Sequence, residues 1–78
     1  MATTAAPTRY IQAIYDKLEE LRDDLESIRD EEEEARDNLP ESLQESERGE
    51  AMSEAIDNMD SAIDGLEEVT GYLEEIIG

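Results

Sequence analysis

Carboxylates dominate the residues that could do chemistry. Twenty-four acids stand against six bases in 78 residues, a net charge of −18. Paired carboxylates occur along most of the chain, so no pair is distinctive. General acid–base work needs a carboxylate in a cleft with a shifted pKa. Histidine, cysteine and tryptophan are absent. That removes the commonest general base and metal ligand, the thiolate nucleophile and any disulfide. Asp57, Asp60 and Asp64-Gly65 superficially suggest a calcium loop. Such a loop starting at Asp60 needs acids at its third and twelfth positions, which here are Ala62 and Gly71. The run Asp30 to Glu34 attracts cations only as a diffuse cloud. No catalytic residue, metal site or cofactor is expected, and the chain reads as a non-enzyme.

The chemistry left to so many acids is attraction of positive charge. The excess is uneven: −7 over residues 1–38 and −11 over 39–78, with no base after Arg48. Glu50, Glu54, Asp57, Asp64, Glu68 and Glu75 follow helical spacing and fall on one face of a helix. Rise per turn is about 5.4 Å, in the range of phosphate spacing along one nucleic-acid strand. Such a row suits a basic groove built for DNA or RNA. The contact residues expected are Glu50, Glu54, Asp57, Asp60, Asp64, Glu67 and Glu68. A second set is Asp23, Asp24, Asp30, Glu31, Glu33 and Glu34. The same charge repels nucleic acid itself and anionic membrane. A small domain needs a charge magnitude of only about 2–8 for solubility. The plainer explanation is solvation, or adaptation to salt, which the single lysine, Lys17, also fits.

Two helices must carry these acids. Apolar residues fall at Ile11, Ile14, Leu18, Leu21, Leu25, Ile28 and Ala35, spaced as a heptad seam with Glu32 in the gap. No glycine or proline interrupts Thr8 to Asn38. Arg22, Arg29 and Arg36 recur every seven residues beside this seam, and are expected to pair with acids of either helix. Asn38-Leu39-Pro40-Glu41 breaks the helix with a capping-box pattern, and Leu43 is expected under the corner. Ser46 is the expected cap of a second helix, with Gly49 in its first turn. Its stripe is wider: Met52, Ala55, Ile56, Met59, Ala62, Ile63, Leu66, Val69, Leu73, Ile76 and Ile77. Thr4 is a plausible cap for the first helix, and Pro7 fits its first turn.

The fold class expected is all-α, an antiparallel two-helix hairpin with coiled-coil packing. It comprises a disordered tail over 1–6 and a single hairpin over 7–77. The first helix spans about 7–37, the corner 38–46 and the second helix about 47–77. Facing residues are expected to sum to about 84: Ile11 with Leu73, Leu18 with Leu66, Leu21 with Ile63, Leu25 with Met59, Ile28 with Ile56. Tyr10, Tyr15 and Tyr72 fall near the open end and are expected to cap the core or, alternatively, to supply an aromatic contact patch. Ile56, Ile63, Ile76 and Ile77 exceed what one narrow seam needs. Either the first helix rotates to cover them, or two hairpins dimerise into a four-helix bundle, or the apolar edge is laid on a partner.

The segment Asp37-Asn38-Leu39-Pro40-Glu41-Ser42-Leu43-Gln44-Glu45-Ser46-Glu47-Arg48-Gly49-Glu50-Ala51-Met52, with Ala-Ile-Asp at 55–57 and 62–64, resembles short acidic helical-hairpin proteins of phages and mobile elements of Gram-positive bacteria. The resemblance covers roughly residues 10–77. It implies a setting in the host cytoplasm. It also implies an inhibitor of host nucleases or CRISPR effectors, to which the spacing of the acids adds mimicry of DNA or RNA in a basic groove. The sequence itself offers no signal peptide and no membrane-spanning run, so a cytoplasmic protein is expected. The leading expectation is therefore an acidic inhibitor of a basic nucleic-acid-binding protein. The alternative is a structural oligomerisation module whose acids only solvate it.

Overall fold

The structure is a computed structural model that describes residues 5–78, with side chains from Arg9 onward. The proposed cap Thr4 and the rest of residues 1–4 lie outside the described residues. Three helices follow in order: α1 (Ala5–Asp37), α2 (Glu41–Gln44) and α3 (Glu47–Ile77). The two long helices pack against each other, forming a rod 64 Å long and 15 by 14 Å across. Helix α1 begins two residues into the expected tail. Its unbroken run without glycine or interior proline lets it continue to Asp37.

The corner, expected as a connection over 38–46, holds a one-turn helix. Pro40 stands at its N-terminus, with its backbone at φ −55 and ψ 147 and no side-chain cap. The expected capping box from Asn38 to Glu41 does not form. Instead the Asn38 N–H continues α1 by donating to Glu34 O, and the Leu39 N–H donates to Arg36 O. Gln44 closes the corner, its Nε2 donating to Leu39 O at 2.8 Å and Asp37 O at 3.3 Å. Ser46 does stand at the start of α3, but its hydroxyl donates back to Leu43 O rather than into the helix. Leu43 is exposed, not tucked under the corner; half-buried Leu39 and buried Gly49 fill that place.

The seam of α1 is rotated from the expected one. Ile11, Leu18 and Leu25 are half-buried as expected. Ile14, Leu21 and Ile28 are not: they are 51%, 57% and 53% exposed. The line turned inward beside Leu18 and Leu25 is Tyr15, Arg22, Arg29 and Arg36, all half-buried. Leu21 and Ile28 are therefore not buried layers of the core opposite Ile63 and Ile56. Ile56 and Ile63 are nonetheless buried, at 2% and 8% exposure. Rotation does cover them, but at the expense of the first helix's own apolar line. Two helices share one contact line, and neither can bury a stripe wider than that line. Tyr10 and Tyr72 are exposed and do not cap the core. Gly78, at φ 79, ends α3 with its N–H on Glu74 O.

Candidate functional site

Helical geometry divides the hairpin into two flanks. On one flank, three residues of α1 reach across to α3. The Tyr15 hydroxyl donates to Glu74 Oε1 at 2.6 Å. Arg29 donates from Nε to Asp60 Oδ1 at 2.8 Å and from Nη2 to Asp60 Oδ2 at 3.4 Å. Arg36 Nη1 donates to Ser53 Oγ at 3.3 Å. In all three pairs the residue numbers sum to 89, so the polar rungs repeat every seven residues along an antiparallel register. The position between them pairs Arg22 with Glu67 by number. Arg22 is instead held within α1 by Glu19 at 3.1 Å, Asp23 at 3.3 Å and Glu26 at 3.6 Å. Its Nε is buried without a hydrogen-bond partner.

These contacts set the local electrostatics. The hydrogen bond to Asp60, then that to Glu33, holds the Arg29 guanidinium above its ordinary pKa. Asp23 does the same for Arg22. The hydrogen bond that the Tyr15 hydroxyl donates to the Glu74 carboxylate, together with partial burial, pushes the phenol up to about 12.

The expected contact acids divide accordingly. Glu50, Glu54, Asp57, Asp64, Glu67 and Glu68 are exposed on α3, as is Glu75. Glu67 stands at the edge of the polar flank. Asp60 is half-buried and tied to Arg29, so part of its charge is already used within the hairpin. On α1, Asp24, Glu31 and Glu34 are exposed. Asp23 and Asp30 are exposed but lie 3.3 and 3.4 Å from Arg22 and Arg29, while Glu33 is half-buried at 3.0 Å from Arg29. Ser53 and Glu74 were not singled out from sequence. The signal that finds them is the heptad of 53, 60, 67 and 74, matching the heptad of 15, 22, 29 and 36.

The other flank is apolar. On α1 the exposed line Ile14, Leu21, Ile28 lies beyond Leu18 and Leu25, away from the arginines. On α3 the line Ala55, Ala62, Val69, Ile76 lies beyond Met59 and Leu66, away from Asp60. Val69 and Ile76 are exposed, as is Ala62, and Ala55 is half-buried. Both lines therefore open to the same side of the hairpin. Glu32, half-buried, is the one acid between them, at the corner end.

Concavities are shallow. A depression of about 390 Å³ at the open end is lined by Gln12, Tyr15, Glu74, Ile77 and Gly78. Among the described residues, no three acids converge as a metal site. Among them also, no helix is long and apolar enough to cross a membrane. Comparison with protein families, with curated proteins and with solved structures finds no match.

Proposed function

We propose that the chain is a non-enzymatic binding protein whose acidic outer surface occupies the basic nucleic-acid groove of another protein. The observation that carries this is how three of the six bases are used, while Arg9, Lys17 and Arg48 are exposed. Arg22, Arg29 and Arg36 are half-buried and held by acids on the inner flank. What α3 presents outward, from Glu50 through Glu54, Asp57, Asp64 and Glu68 to Glu75, is negative charge without a base. Oriented like charge of this density steers association with a cationic groove and competes there with phosphates. A phage or mobile-element inhibitor of a host nuclease or CRISPR effector is the setting this reading favours.

The test replaces four outward acids that have no ion-pair or side-chain hydrogen-bond partner among the described residues: Glu54, Asp57, Asp64 and Glu68, each to lysine. Tagged wild type is expected to capture a nucleic-acid-binding protein from host lysate at low salt. High salt or added duplex DNA or RNA should release it, and the fourfold variant should not capture it while its circular dichroism stays helical. Capture that survives both the substitutions and the nucleic-acid competitor removes the proposal.

The uncovered apolar flank favours a second reading, an assembly module in which two hairpins pair into a four-helix bundle. In such a bundle the acids of α3 still face outward.

A further inference from the structure

We infer that the depression at the open end is a binding site for a guanidinium cation, the arginine side chain of a bound polypeptide, held between the Tyr15 ring and the Glu74 carboxylate. The inference does not rest on the acidic row of α3, to which neither residue belongs.

The free hydrogen-bonding groups of the depression select the charge of its ligand. Its lining is Gln12, Tyr15, Glu74, Ile77 and Gly78. The donors there already have acceptors. The Tyr15 hydroxyl donates to Glu74 Oε1 at 2.6 Å, Gln12 Nε2 to Asp16 Oδ1 at 3.0 Å, and the Gly78 N–H to Glu74 O at 2.9 Å. What remains is Glu74 Oε2, Gln12 Oε1 and the carbonyls of the last turn of α3, which a helix end leaves without intrahelical donors. All of these accept. The negative end of the α3 dipole lies with them, and the last turn holds no basic residue. Among the described residues, the ion pairs centre on Arg22, Arg29 and Arg36, and none reaches Glu74. An anion finds nothing to donate to it here, whereas a cationic donor meets a carboxylate that is free of any base.

The walls select the kind of cation. A metal ion needs converging acids, and no three converge among the described residues. A quaternary ammonium donates no hydrogen bond and is held by cages of several aromatic rings. Tyr15 is the one ring in this lining. A primary ammonium is a strongly hydrated point charge, which a shallow site cannot strip of water. A guanidinium is planar and more weakly hydrated, stacks on an aromatic face, and carries its N–H donors in a fork. One face fits the Tyr15 ring, the fork meets Glu74 and the carbonyls, and the aliphatic stem lies on half-buried Ile77. The Tyr15 hydroxyl already fixes the carboxylate, so binding orders fewer side chains. A polypeptide is the source that suits these charges. Free arginine brings its own carboxylate toward Glu74 and Glu75, and an arginine within a chain does not.

The test titrates the full chain with Nα-acetylarginine methylamide and follows the NMR spectrum. Saturable shifts are expected at the Gln12 side-chain amide, at Tyr15 and over Glu74 to Gly78. Glu74→Gln removes the charge but leaves an oxygen for the Tyr15 hydroxyl. It should weaken binding about tenfold while circular dichroism stays helical. The matching lysine compound, tetramethylammonium and free arginine should each bind more weakly. Alkaline titration supplies a second readout. The bound cation favours the phenolate, so the Tyr15 phase near 12 should move down, further than sodium chloride at equal ionic strength moves it. Shifts that follow the acids along the whole rod without saturating overturn the inference, because they mark a diffuse cation cloud. So do binding that survives Glu74→Gln unchanged and an equal response to tetramethylammonium. Equal binding of the lysine compound overturns the choice of guanidinium, and tighter binding of free arginine overturns the polypeptide source.

Discussion

The Tyr15 phenol is the residue whose behaviour follows most directly from one contact. Its hydroxyl donates to Glu74 at 2.6 Å, and ionising it would set two anions against each other. Its pKa accordingly rises from the ordinary 10.0 to about 12. A raised pKa means that the contact's contribution to stability is complete below the ordinary value near 10. It is lost as pH climbs through about 12. Alkaline titration of tyrosine absorbance should therefore show one phenol ionising near 12, and Tyr15→Phe should delete that phase. Glu74→Gln should bring Tyr15 downward; an unmoved titration shows that the contact does not form. Arg29 contributes no such window, because its raised pKa keeps it charged throughout. Much of the residue-level site was legible beforehand. A glutamate at Glu50, Glu54 or Glu68 lies outward because helical spacing alone puts it opposite the stripe. The ion pairs of Asp60 and Glu33 with Arg29 were not legible, because which acids Arg29 meets depends on the register of the two helices, which spacing within one helix cannot supply.

At the scale of elements, the corner depends on a close approach. Gly49 is buried against α2, and a β-carbon there would fall 2.1 Å from Gln44 O. Gly71 lies in the same helix with nothing within 4 Å of such an atom. The same substitution should thus have opposite signs at the two places. Gly71→Ala should stabilise α3 by up to about 1 kcal/mol through helix propensity. Gly49→Ala should destabilise by about 2 kcal/mol, because the obstacle is backbone that must move, lowering Tm by roughly 10 °C. Thermal unfolding by circular dichroism measures both; equal effects would mean that α2 does not press on α3. The long helices were legible from apolar periodicity, and the break from Pro40. The turn of helix within the corner was not, since four residues carry too little periodicity to read. The rotation of α1 was hidden for another reason. Its Ile-Leu line and its arginine line flank Leu18 and Leu25 symmetrically, and only contact with α3 decides which goes in.

For the whole molecule the deciding quantity is the balance between like-charge repulsion and local ion pairs. Eighteen uncompensated negative charges lie on a rod only 15 Å across, within reach of one another at the roughly 8–10 Å screening length of ordinary buffers. The attractive pairs centre on Arg22, Arg29 and Arg36, and each involves an acid that is at least one-third exposed. Exposed pairs of that kind contribute little and are themselves screened. Repulsion therefore outweighs attraction, and added monovalent salt should raise Tm rather than lower it. Two effects then act in the same direction, since screening steadies each hairpin and also lets two hairpins approach. They separate by concentration: the hairpin's own gain is independent of protein concentration, while the gain from pairing makes Tm climb with it. Melting curves over a matrix of salt and protein concentration resolve the two contributions. A Tm that falls with salt would mean that the arginine rungs, not the acidic surface, govern the electrostatics of the fold.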